Sequence, residues 1–338
     1  MNLDKIVAYL KQYDEPIKIM EVCGTHTSAI FKSGIRSLIS DKISLVSGPG
    51  CPVCVTPPST IDALIELSQE AEILSFGDMF RVPGSKYSLA EGARVRLIYS
   101  PLEALALAKA QPNTKFIIAA VGFETTTPAF AALLDALVRE DIQNVSLYTA
   151  LKTVPEILEY ICMHEQIDAF ICPGHVSAVI GSAPYKMLAQ KYHKPFVIAG
   201  FEVEHILAAI YELANQKKNG RYEVKNFYPS VVQEGGQTKA LKLIEKYFVK
   251  SDSFWRGIGE IHNSGYIIKS EYRHFSANIP KLSEKEDLPK ACRCADVMLG
   301  RIRPEECTLF RKTCTLQNPI GPCMASTEGA CSIYGGWI

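Results

Sequence analysis

Eight short, continuously apolar runs are spaced along the first two thirds of the sequence, and helical patterns lie between several of them. The predicted strands are Ile17–Val22, Ile43–Ser47, Ile73–Phe76, Arg94–Tyr99, Phe116–Val121, Val145–Thr149, Ala169–Cys172 and Pro195–Ala199. The predicted helices are Ser59–Glu70, Pro101–Ala110, Pro128–Arg139, Pro155–His164 and Pro184–Lys191. Strands that are apolar throughout, separated by helices, predict parallel sheets covered on both faces.

With 338 residues the chain exceeds what one hydrophobic core usually holds, so two or three domains are expected. A weak internal echo suggests how they divide. Val22–Phe31 resembles Val121–Phe130, and Ser47–Val53 resembles Ile171–Ser177. The expectation is an N-terminal helix over 1–16, a first α/β domain over 17–115, a similar second one over 116–215 and a third domain over 216–338. Beyond Asn215 the texture changes. Gln216–Arg221 reads as a polar hinge, glycines punctuate short segments, and one clear helix falls at Thr238–Phe248. From Pro289 onward there is little periodicity, so a bound metal centre is expected to supply the missing folding free energy. The fold class is therefore α/β: two similar parallel-sheet domains plus a smaller Cys-rich iron–sulfur domain.

Charge and cysteine usage narrow the function. Lys+Arg and Asp+Glu both number 36, which disfavours a protein that wraps nucleic acid. The longest apolar run, near Phe116–Phe123, is about eight residues, against the roughly twenty of a membrane-spanning helix. The N-terminal stretch has an acidic fourth residue and no long apolar core, so neither a secretory signal nor an anchor is expected. Eleven cysteines without such a signal point to a reducing compartment, the cytoplasm, where clustered thiols bind metal or do redox chemistry.

Six of those cysteines fall between Cys292 and Cys331, spaced Cys292-x-Cys294-x12-Cys307-x6-Cys314-x8-Cys323-x7-Cys331. No His intervenes and no paired CxxC knuckles occur. The wide spacing suits an iron–sulfur cluster better than a zinc ribbon, with zinc as the alternative. Four ligand places leave two thiols over. Cys294 and Cys323 are the natural spare pair, although composition does not decide this and Cys292 and Cys294 could be exchanged.

Three further motifs follow predicted strands. Cys51 and Cys54 form a CxxC, read as a dithiol redox switch whose thiolate is favoured by a following helix start; half a zinc site is the rival. Cys23, with Gly24, Thr25 and His26 after it, sits where a strand ends and a helix begins, the usual site position in an open α/β sheet. It is a candidate ligand or nucleophile. Glu124 and His175 would face the same opening from the second half, as possible accessory groups; a helix-start carboxylate and a turn histidine are the plainer readings. Gly77–Gly84 is a weak anion-binding signal, Cys162 reads as core, and Phe201-Glu202 and Trp255-Arg256 are distinctive strings without assigned chemistry.

These strings together resemble the hydrogenase maturation factor HypD family. The match covers nearly the whole chain: CGTHT, SGPGCPVCVTP, GDMFRVPGS, GFETTTP, CPGHVS, GFE, WRGIG, CRC and CTLFRKTCTLQNPIGPCMASTEGAC. The resemblance implies two related α/β domains and a third domain with a [4Fe–4S] cluster. It implies a cytoplasmic protein that, with the small partner HypC, assembles the Fe(CN)2(CO) unit of [NiFe]-hydrogenases from an iron precursor. HypE supplies cyanide, and the unit passes to the hydrogenase large subunit. Carried over to this chain, Cys23 is the iron-contacting thiolate with His26 nearby. Cys51 and Cys54 are the redox dithiol. Cys292, Cys307, Cys314 and Cys331 are cluster ligands, and Cys294 and Cys323 an adjacent thiol/disulfide pair.

The reading is thus a metallocofactor assembly scaffold with thiol-redox activity. A cluster-dependent disulfide reductase is one rival, but it leaves Cys23 and His26 idle. A zinc-stabilised, non-catalytic adaptor is the other.

Overall fold

The computed structural model describes residues 2–277, 289 and 291–336. None of its helices is long and apolar enough to cross a membrane. Its strands are β1 (Ile17–Glu21), β2 (Ile43–Ser47), β3 (Glu72–Ser75), β4 (Val95–Leu97), β5 (Phe116–Gly122), β6 (Val145–Lys152), β7 (Ala169–Pro173), β8 (Phe196–Ala199), β9 (Val224–Asn226), β10 (Phe248–Trp255) and β11 (Gly259–Ile268). They form two sheets. The first has the order β2-β1-β7-β8-β9, parallel throughout. The second has the order β10-β11-β6-β5-β3-β4. Strands β3 to β6 pair in parallel, and the β10–β11 hairpin joins β6 antiparallel.

The period-two geometry of strands explains how the two sheets meet. Along β5, Phe116, Ile118 and Ala120 face the helices Thr127–Arg139 and Thr238–Tyr247. Ile117, Ala119 and Val121 face the other way. In the first sheet Ile17, Ile19, Ala169 and Ile171 face the helices Leu3–Gln12 and Val203–Lys218. Met20, Val22, Phe170 and Cys172 face inward and share one core with Ile117, Ala119 and Val121. Burial on both faces is why these strands carry no polar alternation. Each fully buried Leu or Phe of the outer layers, such as Phe130 or Leu213, contributes about 1.5–3 kcal/mol.

The sheets are interleaved along the chain rather than consecutive. Residues 17–47 and 169–226 build the first, and residues 72–152 and 248–268 the second. The expected division at 115/116 therefore separates neither sheet. The stretch from 216 onward is not a separate unit either, because β9 completes the first sheet and the hairpin completes the second. Gln216 is no hinge: it lies buried in the helix Val203–Lys218, donates to Glu212 Oε1 at 3.0 Å and accepts the Glu223 N–H at 2.8 Å. The N-terminal helix runs Leu3–Gln12, capped by Asn2 Oδ1 on the Asp4 N–H at 2.9 Å.

The described Cys-rich segment has short helices, Cys294–Met298, Pro322–Ala325 and Ala330–Gly335. Its apolar side chains do not form a core apart. Val297, Met298, Leu299, Met324 and Ile333 belong to the same buried cluster as Met20, Val46, Cys51 and Cys54.

Candidate functional site

Parallel strands present their carboxyl ends at one edge, and connecting loops there build the sites of open α/β sheets. The loops after β1, β2, β3, β5 and β7 enclose a cleft of about 440 Å³ between the two sheets. Cys23, Thr25, Gly50, Asp78, Thr125 and His175 line it, together with Glu328 from the Cys-rich segment. The structure thus brings Cys23, the loop that carries the CxxC, and His175 to one opening.

Cys23 is the residue before the helix Gly24–Lys32, in extended backbone, and the N–H groups of Thr25 and His26 face its Sγ. Burial outweighs those donors and pushes the thiol up to about 11. A bound cation such as a metal ion would favour the thiolate. Its backbone is clamped from both sides. A Cβ on Gly50 would stand 2.5 Å from Cys23 N, and one on Gly24 would stand 2.6 Å from Glu328 O. Glu21, buried at the end of β1, accepts the Cys23 N–H at 3.1 Å and the Thr27 hydroxyl; burial pushes its carboxyl up to about 7.

His26 and Glu124 do not line the cleft. His26 is fully buried, its Nε2 3.1 Å from Gly200 O and its ring 4.8 Å from that of Phe201. A carbonyl only accepts, so Nε2 carries the proton and Nδ1 keeps a lone pair without a hydrogen-bond partner among the described residues. Burial lowers this imidazole to about 4, so it is neutral at pH 7. Phe201 stands between the two histidines, 4.4 Å from the His175 ring. Glu124 is turned inward, where Oε1 accepts the Val154 N–H at 2.9 Å at the first turn of the helix Val154–His164. It is a helix-start carboxylate, but of the helix after β6 rather than of its own. Burial pushes it up to about 8.

Cys51 and Cys54 are joined in a disulfide, both buried. The next helix, Pro58–Leu67, begins four positions beyond Cys54, so no helix start faces either sulfur as the sequence suggested; the nearest donor is the Cys54 N–H, 3.1 Å from Cys51 Sγ. Gly50, Pro52 and Val53 of this loop face the cleft. The sulfurs face the Cys-rich segment: Cys51 Sγ is 3.3 Å from Ser326 Oγ, and Cys54 Sγ is 3.9 Å from Pro322 O.

The six tail cysteines are free thiols. Cys292, Cys294, Cys307, Cys314 and Cys331 line one cavity with Val297, Phe310 and Met324. Cys292 Sγ and Cys294 Sγ are 3.4 Å apart, and the Ile320 N–H donates to Cys314 Sγ at 3.4 Å. Cys323 is buried against Cys294 and Cys331. Donation from Cys294 and Cys323 pulls Cys331 well below the usual thiol range, while the same contacts push Cys323 up. Gly321 has no room for a side chain: a Cβ would stand 2.6 Å from both Cys292 Sγ and Cys294 Sγ. Among the described residues no three His, Cys, Asp or Glu side chains are arranged to hold a single metal ion. A pocket walled by five thiols, apolar side chains and Arg293 has the donor chemistry of an iron–sulfur cluster, so the residues fit that group.

Other strings find a place. Phe76–Met79 lines the cleft, and Arg81 Nη2 donates to Leu316 O at 2.9 Å, tying that loop to the tail. Cys162 is buried core. Trp255 Nε1 donates to Ser264 Oγ at 2.8 Å and its ring stacks on Phe123. Glu21 was missed from sequence, although its place two residues before Cys23, ending an apolar strand, was a usable signal.

Fold and site together define an α/β protein with three cysteine centres: Cys23 in the inter-sheet cleft, a buried disulfide whose loop lines that cleft, and a six-thiol tail packed against the disulfide. The chain matches the HypD family model, described as hydrogenase formation hypA family, over residues 2–337, and it belongs to that family of hydrogenase maturation factors. A putative hydrogenase expression/formation protein of Methanocaldococcus jannaschii is 40% identical over 343 residues, 98% of this chain and 95% of its own. The hydrogenase maturation factor HypD of Rhodobacter capsulatus is 41% identical over 336 residues, and that of Escherichia coli 40% over 335; each match covers 95% of this chain and 89% of the relative.

Proposed function

We propose that this chain is the redox scaffold on which, with HypC in the cytoplasm, the Fe(CN)2(CO) unit is assembled before transfer to the hydrogenase large subunit, with HypE as the cyanide donor. The iron is substrate, taken up in the cleft by Cys23. Glu21 fixes the backbone of Cys23 through its N–H, and the Thr25 and His26 N–H groups stabilise the thiolate that metal binding creates. His175 lies in the same cleft as an accessory polar group. His26 acts from behind, as a neutral imidazole that orients the wall through Gly200 and Phe201. Cys292, Cys307, Cys314 and Cys331 would hold the [4Fe–4S] cluster, which when bound supplies single electrons. In this reading Cys294 and Cys323 exchange with Cys51–Cys54: their two thiols close to a disulfide as the Cys51–Cys54 bond opens to two thiols, so two electrons and two protons pass between the pairs.

The observation that carries this reading is the position of the Cys51–Cys54 disulfide, its loop lining the Cys23 cleft and its sulfurs against Pro322 and Ser326 of the Cys-rich tail. Infrared spectroscopy of anaerobically purified protein, alone and with HypC, tests it. Bands of bound cyanide and CO are expected in the wild type and lost in Cys23→Ala; bands that persist in that variant refute the role of Cys23. The disulfide against the tail also suits a stand-alone disulfide reductase, in which case thiol exchange proceeds with no such bands.

A further inference from the structure

A second cavity, of about 260 Å³, shares no lining residue with the Cys23 cleft. Its wall is made by residues 57–60, by β6 and by the hairpin β10–β11. Two buried cations stand in that wall, Lys152 and Arg256, each 1% exposed. Lys152 Nζ donates to Ser253 Oγ at 2.7 Å and to Phe254 O, and lies 5.3 Å from the centroid of the Trp255 ring. Two neutral acceptors and a ring leave its charge unpaired, and burial pulls the amine down to about 7. Arg256 Nη1 donates to Pro83 O at 2.9 Å, while Nε and Nη2 are buried with no hydrogen-bond partner among the described residues. A guanidinium stays charged in proteins, so a buried one with donors left over calls for an anion.

The start of the helix Pro58–Leu67 faces the same space. Pro57 gives it no side-chain cap, and Pro58 has no N–H, so Ser59 carries the first N–H of the helix. The Thr60 N–H turns back to Pro57 O at 3.1 Å. An uncapped helix start is the positive pole of the helix and favours negative charge. The carboxylates among the lining residues, Asp252 and Glu260, are both exposed. Asp252 is already engaged by the Asn263 N–H at 2.8 Å and by His262 Nδ1 at 2.7 Å. The cavity is smaller than the roughly 300–1,000 Å³ of sites for drug-sized ligands, which suits a small ion or the end group of a small molecule.

We propose that this cavity binds a small oxyanion, a phosphate or carboxylate group, held by the Arg256 guanidinium, the Lys152 ammonium and the Ser59 N–H. The inference is independent of the proposed function. The site adjoins the CxxC loop: Pro57 is three positions beyond Cys54, and the Arg256 backbone N–H donates to Val55 O at 2.9 Å. An occupant would therefore touch the segment that leads out of the disulfide.

The test is titration calorimetry of the full chain, purified anaerobically, with inorganic phosphate and separately with acetate. Ionic strength is held constant with chloride. Saturable binding at one site per chain is expected; the probe that binds more tightly names the group, phosphoryl or carboxylate. Arg256→Gln and Lys152→Met each remove a buried donor and should weaken binding roughly tenfold or more in protein shown by circular dichroism to be folded. Both residues are buried, so a variant on the exposed rim decides the matter even where those two fail to fold. Glu260→Lys replaces a repelling charge with an attracting one and should tighten binding roughly threefold. A wild type that saturates with neither probe overturns the inference. So does binding that Glu260→Lys fails to tighten, or that folded Arg256→Gln and Lys152→Met leave at wild-type strength, which would be an adventitious ion only.

Discussion

Ser326 Oγ lies 3.3 Å from Cys51 Sγ, although 275 positions separate the two residues. Cys323 sits three positions before Ser326, and Pro322 O is 3.9 Å from Cys54 Sγ. The disulfide after β2 is therefore seated on the turn that carries a tail thiol, with its own loop forming part of the cleft wall.

That seating predicts a relay. In wild-type protein treated with dithionite, alkylation with mass mapping should find Cys51 and Cys54 reduced. In Cys294→Ser and Cys323→Ser the pair should stay oxidised while the cluster remains, and hydrogenase maturation should be lost or strongly slowed. Maturation at the wild-type rate in both variants would mean that no relay exists.

Loss of a tail ligand should be visible by eye. Anaerobic wild-type protein should be brown, with about four iron and four sulfide per chain. Cys307→Ala and Cys314→Ala should be colourless and less stable. Full zinc occupancy without labile sulfide in the wild type contradicts this.

Gly50 approaches the backbone of Cys23 too closely for any side chain, the would-be Cβ standing 2.6 Å from Cys23 Cα. Backbone on both sides leaves nothing flexible to yield. Gly50→Ala should cost about 1–3 kcal/mol by denaturant unfolding and weaken iron uptake at Cys23. A variant with wild-type stability and iron content would show that the loop relaxes freely.

Glu124 gives a pH signature. Burial raises its folded-state value to about 8 from an ordinary 4.5, so between those values the native state binds more protons than the unfolded chain. Stability should therefore fall as pH rises through that window, by up to about 1.4 kcal/mol per pH unit from this one group. Glu124→Gln, which keeps an acceptor for the Val154 N–H, should flatten that part of the slope in urea titrations between pH 5 and pH 8. An unchanged slope would mean that another group sets it.

The strands were legible because burial on both faces leaves nothing but apolar residues in them; β2 was anticipated residue for residue, and β1, β5, β7 and β8 within one at each end. Which sheet each strand joins was not legible, since a buried strand carries no mark of its neighbour. The hairpin β10–β11 escaped notice because Gly257, at φ +72°, and Gly259, at φ +115°, look like loop rather than the turn of a ladder. The helix Val203–Lys218 carries apolar residues at 203, 206, 207, 210, 213 and 214, a helical period that its polar C-terminal turn masked. At the site, the approach of Cys23, the CxxC loop and His175 to one opening was legible from their places after strands. The inward turn of His26, in the first turn of the helix Gly24–Lys32, and of Glu124, in the loop 123–126, was not, because only some side chains of a strand-to-helix connection point to the opening.

Interleaving of the sheets has a consequence for synthesis. Ile19 of β1 pairs with Ala169 of β7, so the first sheet cannot close until some 150 further residues have been made. Loops of that length close slowly, and parallel pairings across them are late events in folding. The second sheet waits for Tyr266 to reach Leu151, and the cleft also needs Glu328, 305 positions after Cys23. Cys23 is therefore made long before the last of the residues that complete its cleft.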